Sequence, residues 1–197
     1  MKKIKLILIA GILLCLSCEK VMAQAPYKSS VGGVISPVMT MGVSFKIFLT
    51  EHLVFQTDLL IKEIYGIGYE KGVGVHYLAY GSLEQNTNVM YQKKIKEIKK
   101  SDLFWFVGGG VNIGYAFAME HTCGKMGANA IVGLEFVFKK KPLSIQMDLR
   151  PGYGRLFHIY HTFPYMPGGG PGITWHHFDW MAGFTLRYTF KGKRLEE

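Results

Sequence analysis

The stretch Phe178-Asp179-Trp180-Met181-Ala182-Gly183-Phe184-Thr185-Leu186-Arg187-Tyr188-Thr189-Phe190 decides the fold. Its even positions are all apolar or aromatic. Its odd positions are small or polar, Met181 excepted. Side chains alternate sides along a strand, so this segment has one ring-rich face and one wettable face.

Five further segments repeat the period. Met41, Val43, Phe45, Ile47 and Leu49 oppose Thr40, Gly42, Ser44 and Lys46. Leu53, Phe55, Thr57, Leu59 and Ile61 oppose Val54, Gln56, Asp58, Leu60 and Lys62. Trp105, Val107, Val111, Ile113, Tyr115 and Phe117 oppose Gly108, Gly110, Asn112 and Gly114, and Ala130 to Phe138 and Leu143 to Leu149 alternate likewise. Weaker strands are expected at 27–35 and 88–97. Helical periodicity is almost absent.

The N-terminus is a targeting segment. Lys2, Lys3 and Lys5 precede an apolar run from Leu6 to Leu16, and Val21-Met22-Ala23 offers small residues for cleavage. The apolar run is too short to span a bilayer of about 30 Å as a helix. Residues 1–23 are therefore expected to be a cleaved signal peptide and 24–197 the mature domain. Lipid attachment at Cys18 is the rival processing route, with bulky Leu16 against it. An exported chain of period-2 strands with a closing aromatic strand implies an all-β fold. The expectation is a closed antiparallel transmembrane β-barrel of eight strands in the outer membrane of a Gram-negative cell, both termini periplasmic. Short turns are expected at 50–52, 98–102 and 139–142. Longer external loops are expected at 64–87, 119–127 and 158–176, with a tight first turn at Ser36-Pro37.

Inversion would give a soluble lipocalin-like carrier. Against it, the polar face is rich in Gly, Ser, Thr and Asn rather than the Lys and Glu of a solvated face. Eight strands also enclose too little room for so many rings.

The run Gly127-Ala128-Asn129-Ala130-Ile131-Val132-Gly133-Leu134-Glu135, with Pro142 to Tyr153, resembles a hairpin of small Bacteroidetes-type outer-membrane β-barrel proteins. Leu186-Arg187-Tyr188-Thr189-Phe190 is similar to their closing strand and Gly108 to Tyr115 to their central one. The likeness covers about the second half of the chain. It implies architecture and says almost nothing about activity. Seven residues follow Phe190, whereas the closing aromatic normally ends such chains.

The chain carries a formal charge of +9, which falls to +6 when Lys2, Lys3, Lys5, Lys20 and Glu19 leave with the signal. No nucleic-acid motif accompanies this charge. The bases instead cluster as Lys93, Lys94, Lys96, Lys99 and Lys100, as Lys139, Lys140 and Lys141, and as Lys191, Lys193 and Arg194. On the expected topology these form one periplasmic basic collar. Inward positions give a second set: Lys46, Asp58, Lys62, Lys94, Glu135, Asp148, Arg150, Asp179 and Arg187. In a narrow tube such charges must pair, because an unpaired buried charge is very costly. Glu135 and Asp148 are expected to share Arg150 and Lys62.

The mature chain keeps one cysteine, Cys123, so no internal disulfide is possible. His158, His161, His176 and His177 lie in one ring-rich segment, but their spacing fits no standard metal site. No cofactor or catalytic residue is assigned. The expected role is non-enzymatic, as envelope structure or surface interaction. Expected partners are outer-membrane lipids and lipopolysaccharide, the barrel-assembly machinery, and a periplasmic or extracellular protein. The alternative is a lipid A-modifying barrel enzyme, which needs a Ser with a His base; Ser44 and Ser144 point inward, and no motif links a pair.

Overall fold

Branched and aromatic side chains at every second position favour extended backbone, and in the computed structural model each alternating segment is a strand. The structure describes residues 26–37, 39–70, 74–118, 121–158 and 174–190. The side chains of 64–80, 118, 121–123, 158, 174–175 and 177 lie outside the description. The strands are β1 (Ser29–Ser36), β2 (Thr40–Phe48), β3 (Leu53–Glu70), β4 (Gly74–Ile98), β5 (Ser101–Ala118), β6 (His121–Phe138), β7 (Leu143–His158) and β8 (Thr174–Phe190). Each pairs antiparallel with the next, and β1 with β8, so the sheet closes into an eight-stranded barrel. The signal segment and Lys191, Lys193 and Arg194 fall outside the described residues.

The connections sort into two ends. At the end where β1 begins and β8 finishes lie the turns 49–52, 99–100 and 139–142. The Thr50 hydroxyl accepts the backbone N–H groups of Leu53 at 3.0 Å and His52 at 3.4 Å, which fixes the first of them. At the far end lie Pro37 and Met39 and the strand ends Glu70, Gly74, Ala118 and His121.

Two segments expected as loops are strand instead. Residues 64–70 and 74–87 continue β3 and β4 into one long hairpin, paired from Leu53↔Tyr91 through Glu70↔Gly74. Residues 121–127 belong to β6, whose ladder with β5 starts at Ala118↔His121. The physical reason is the short first hairpin. β1 reaches only to Ser36, so the far half of β8 would be an open edge. The extended β3 covers part of it, pairing Ile67↔Phe178, Gly68↔His177 and Tyr69↔His176. Eight strands therefore surround one end of the barrel and six the other. The expected count of eight strands stands, because residues 74–87 lengthen β4.

The outward face carries exposed Val31, Met41, Phe45, Ile61, Val111, Trp180 and Leu186 among many large apolar residues. The inward face holds two apolar plugs. Tyr27, Phe48, Val54, Met90, Phe104, Phe106, Ile131 and Val137 fill the end with the termini, and Val34, Leu60 and Met181 pack farther up. Between and above them the interior is polar.

Candidate functional site

The polar lumen is built by the inward position of consecutive strands, and its pairing follows from which strands face across a narrow tube. Lys46 on β2 reaches Glu135 on β6 at 2.7 Å, and both are fully buried. Glu135 also accepts from the Tyr27 hydroxyl and the Gln92 amide, each at 2.7 Å. Lys46 also donates to Gln146 at 3.3 Å, and its ammonium lies 5.3 Å from the centre of the Phe106 ring, within cation–π range. This completes the upper surface of the first apolar plug.

Above it Arg187 donates to Gln146 at 2.7 Å and to the Ser44 hydroxyl at 2.8 Å. Gln146 passes a hydrogen bond to Asp148 at 2.7 Å. Asp148 is bridged by Arg150, with Nε at 2.6 Å and Nη2 at 3.2 Å, and Arg150 also contacts Asp58. Gln56 donates to both oxygens of Asp58, at 3.1 and 3.0 Å. A planar guanidinium suits this bridging, because its donors are fixed in a fork. An amide chain runs alongside, Asn129 to Asn88 at 2.7 Å and Asn88 to Asn86 at 2.8 Å.

A third cluster lies on the far-end side. Glu84 is held by Lys62 and by Lys125, the latter at 2.7 Å, and Lys125 also reaches Asp179 at 3.0 Å. Across the three clusters the cations Lys46, Lys62, Lys125, Arg150 and Arg187 face the anions Asp58, Glu84, Glu135, Asp148 and Asp179. Charge balance lets a narrow barrel bury ionised groups.

The expected sharing of Arg150 and Lys62 by Glu135 and Asp148 holds for one pair: Asp148 meets Arg150, whereas Glu135 takes Lys46, and Lys62 takes Glu84. Lys94 stands on the inward side but beyond the closed wall, 43 % exposed, where it meets Asp102 at 3.0 Å and Glu97 at 3.6 Å. Glu84 and Lys125 fall within the segments expected as loops, 64–87 and 119–127, and so are absent from the inward set read from the sequence. The signal was present in the alternation Ser82, Glu84, Asn86, Asn88 and in Lys125, Gly127, Asn129.

The exposed lysines 93, 94, 96, 99, 100, 139, 140 and 141 all lie at the end with the termini. His176 stands on the outward side of β8, hydrogen-bonded to Tyr153 at 2.5 Å and stacked on its ring. His161 and the side chains of Cys123, His158 and His177 lie outside the described residues. Ser44 is bonded to Arg187, and His52 contacts the Gln92 carbonyl at 3.2 Å. Among the described residues no group of three or more His, Cys, Asp and Glu is arranged to hold a metal ion. Comparison of the chain with protein-family models, with curated proteins and with solved structures gives no match.

Proposed function

We propose that this protein is an integral outer-membrane β-barrel with a plugged, ion-paired lumen, serving as envelope structure or in surface interaction without catalysis. The observation that carries this reading is the inversion of the usual burial pattern. Lys46, Arg187, Glu135 and Asp58 are fully buried, whereas Met41, Ile61, Val111 and Trp180 are each about 60 % exposed on the outside of a closed sheet. In water, an apolar belt on that scale would drive aggregation; in hydrocarbon it is the surface a spanning barrel needs.

A lipocalin-like carrier is not favoured, because such a fold keeps an apolar cavity inside and a solvated face outside. The partners that fit are the lipids of the membrane, lipopolysaccharide at the external end, and the machinery that assembles barrels. A soluble or surface protein bound at one end is compatible with the exposed hairpins. Cell fractionation followed by electrophoresis with and without boiling tests the reading. The protein should sediment with the outer membrane and change apparent mass only on heating. Recovery in the detergent-free soluble fraction would overturn it.

A further inference from the structure

A single irregularity in β4 separates the basic residues of this end into two groups. Up to Lys94 the even positions of β4 point inward, as buried Asn88, Met90 and Gln92 show. The register runs Lys93↔Trp105 and Lys94↔Phe104, then jumps to Lys96↔Leu103. Ile95 is the extra residue of a β-bulge, and a bulge inverts the phase of everything after it. Glu97 consequently faces inward beside Asp102, and Lys96 turns outward to join Lys93.

The ion pairs follow that division. Lys94 meets Asp102 and Glu97, and Lys139 contacts the same two acids. The inward side of the rim thus neutralises itself. Lys93 and Lys96 have no carboxylate within ion-pairing distance among the described residues. They border the apolar belt instead. Lys93 lies directly across from Trp105, whose ring is 5.9 Å from that of Tyr91, and the His52 ring is 5.2 Å from Tyr91 on the other side. Glu51, the acid of the neighbouring turn, is drawn to His52 at 3.6 Å.

We infer that Lys93 and Lys96, with Tyr91 and Trp105, form a binding site for the phosphate of an anionic glycerophospholipid in the leaflet at this end. The inference rests on the membrane reading above. The chemistry is complementary in two respects. A phosphodiester presents charged, non-bridging oxygens to two strongly hydrated ammonium groups. The phenol and indole place their polar tips at headgroup level and their rings against the acyl chains. Exposed Ile95 beside the lysines keeps the site at the lipid boundary rather than in bulk water. A soluble acidic partner would have less use for such a flank.

The test uses the full mature chain refolded into phosphatidylcholine vesicles containing phosphatidylglycerol. Replacing Trp175 and Trp180 with Phe leaves Trp105 as the reporter, since the chain has three tryptophans. Brominated phosphatidylglycerol should quench Trp105 more than brominated phosphatidylcholine at equal mole fraction, with a preference of roughly fivefold or more from two bases near an anionic surface. Lys93→Gln with Lys96→Gln should abolish the preference, whereas Lys94→Gln should retain it. Equal quenching by the two lipids in the parent protein, or a preference that survives the double change, would overturn the site. Trp105 left unquenched by both lipids would overturn the membrane reading and the site with it.

Discussion

Gly110 stands where the sheet leaves no room for a side chain. A Cβ placed there would lie 2.0 Å from the Thr87 carbonyl oxygen and 2.5 Å from Asn88 Oδ1 on the adjacent strand. Gly33 faces outward, and a Cβ there meets only the Gly42 carbonyl at 4.0 Å. Gly110→Ala should therefore destabilise the barrel by about 1–3 kcal/mol through overpacking, while Gly33→Ala should be close to neutral. Urea unfolding in a detergent or lipid host would rank the two, and equal midpoints would contradict the inward packing. Arg150 gives a second test at this scale. Arg150→Met leaves Asp148 and Asp58 facing one another without their cation, which should cost on the order of 3–5 kcal/mol. Adding Asp148→Asn removes one stranded charge, so the double variant should recover at least about 1 kcal/mol relative to the sum of the singles. Strict additivity would mean that the two side chains do not interact in the folded barrel.

The extended β3–β4 hairpin is the element that sequence reading handled least well. In β8, thirteen alternating residues from Phe178 to Phe190 made both the strand and its faces legible. The same holds for Met41 to Ile61 and Trp105 to Phe117, whose outward and inward sides match their exposure throughout. Residues 64–70 and 74–80 pair with each other, Ile64↔Tyr80 through Glu70↔Gly74, and Ile67 to Tyr69 also find a partner across the barrel, beginning with Phe178 opposite Ile67. That partner, Phe178, lies more than a hundred residues away, and local periodicity carries no trace of it. Glu84 and Lys125 sit in short alternating runs of their own inside stretches that read as loops, whereas Asp58, Arg150 and Arg187 were legible because they sit inside long, clear alternation. Of the pairings, Asp148 with Arg150 was legible; the partners of Glu135 and Lys62 were not, since they depend on the contacts made across the tube. Hydrogen exchange checks the element directly. Backbone amides of residues 67–69 and 176–178 that engage the β3–β8 ladder should exchange slowly, as those of the neighbouring strands do. Exchange at the rate of an unstructured loop would remove the six-strand section.

At the scale of the whole molecule, the two ends differ in charge. The turns at 99–100 and 139–142 bring Lys99, Lys100, Lys140 and Lys141 to the end that also carries both chain termini of the barrel. The far end, in its described parts, carries the 37–39 turn, where Met39 takes a positive φ of 35° and its carbonyl accepts the Glu63 N–H at 3.2 Å. A barrel inserted with its termini inward would point the lysine-rich end at the periplasm and the 37–39 turn outward. That orientation follows the rule of short inner turns and longer outer hairpins, with the β3–β4 hairpin on the outer side. Single cysteines at Pro37, Lys99 and Lys140, introduced after Cys123→Ser removes the native thiol, distinguish the two orientations. In intact cells a membrane-impermeant maleimide should label Pro37→Cys and spare Lys99→Cys and Lys140→Cys until the outer membrane is permeabilised. Labelling of either lysine position from outside would invert the topology. The anionic lipid site at Lys93 and Lys96 would then face the external leaflet, where it would meet lipopolysaccharide in place of glycerophospholipid.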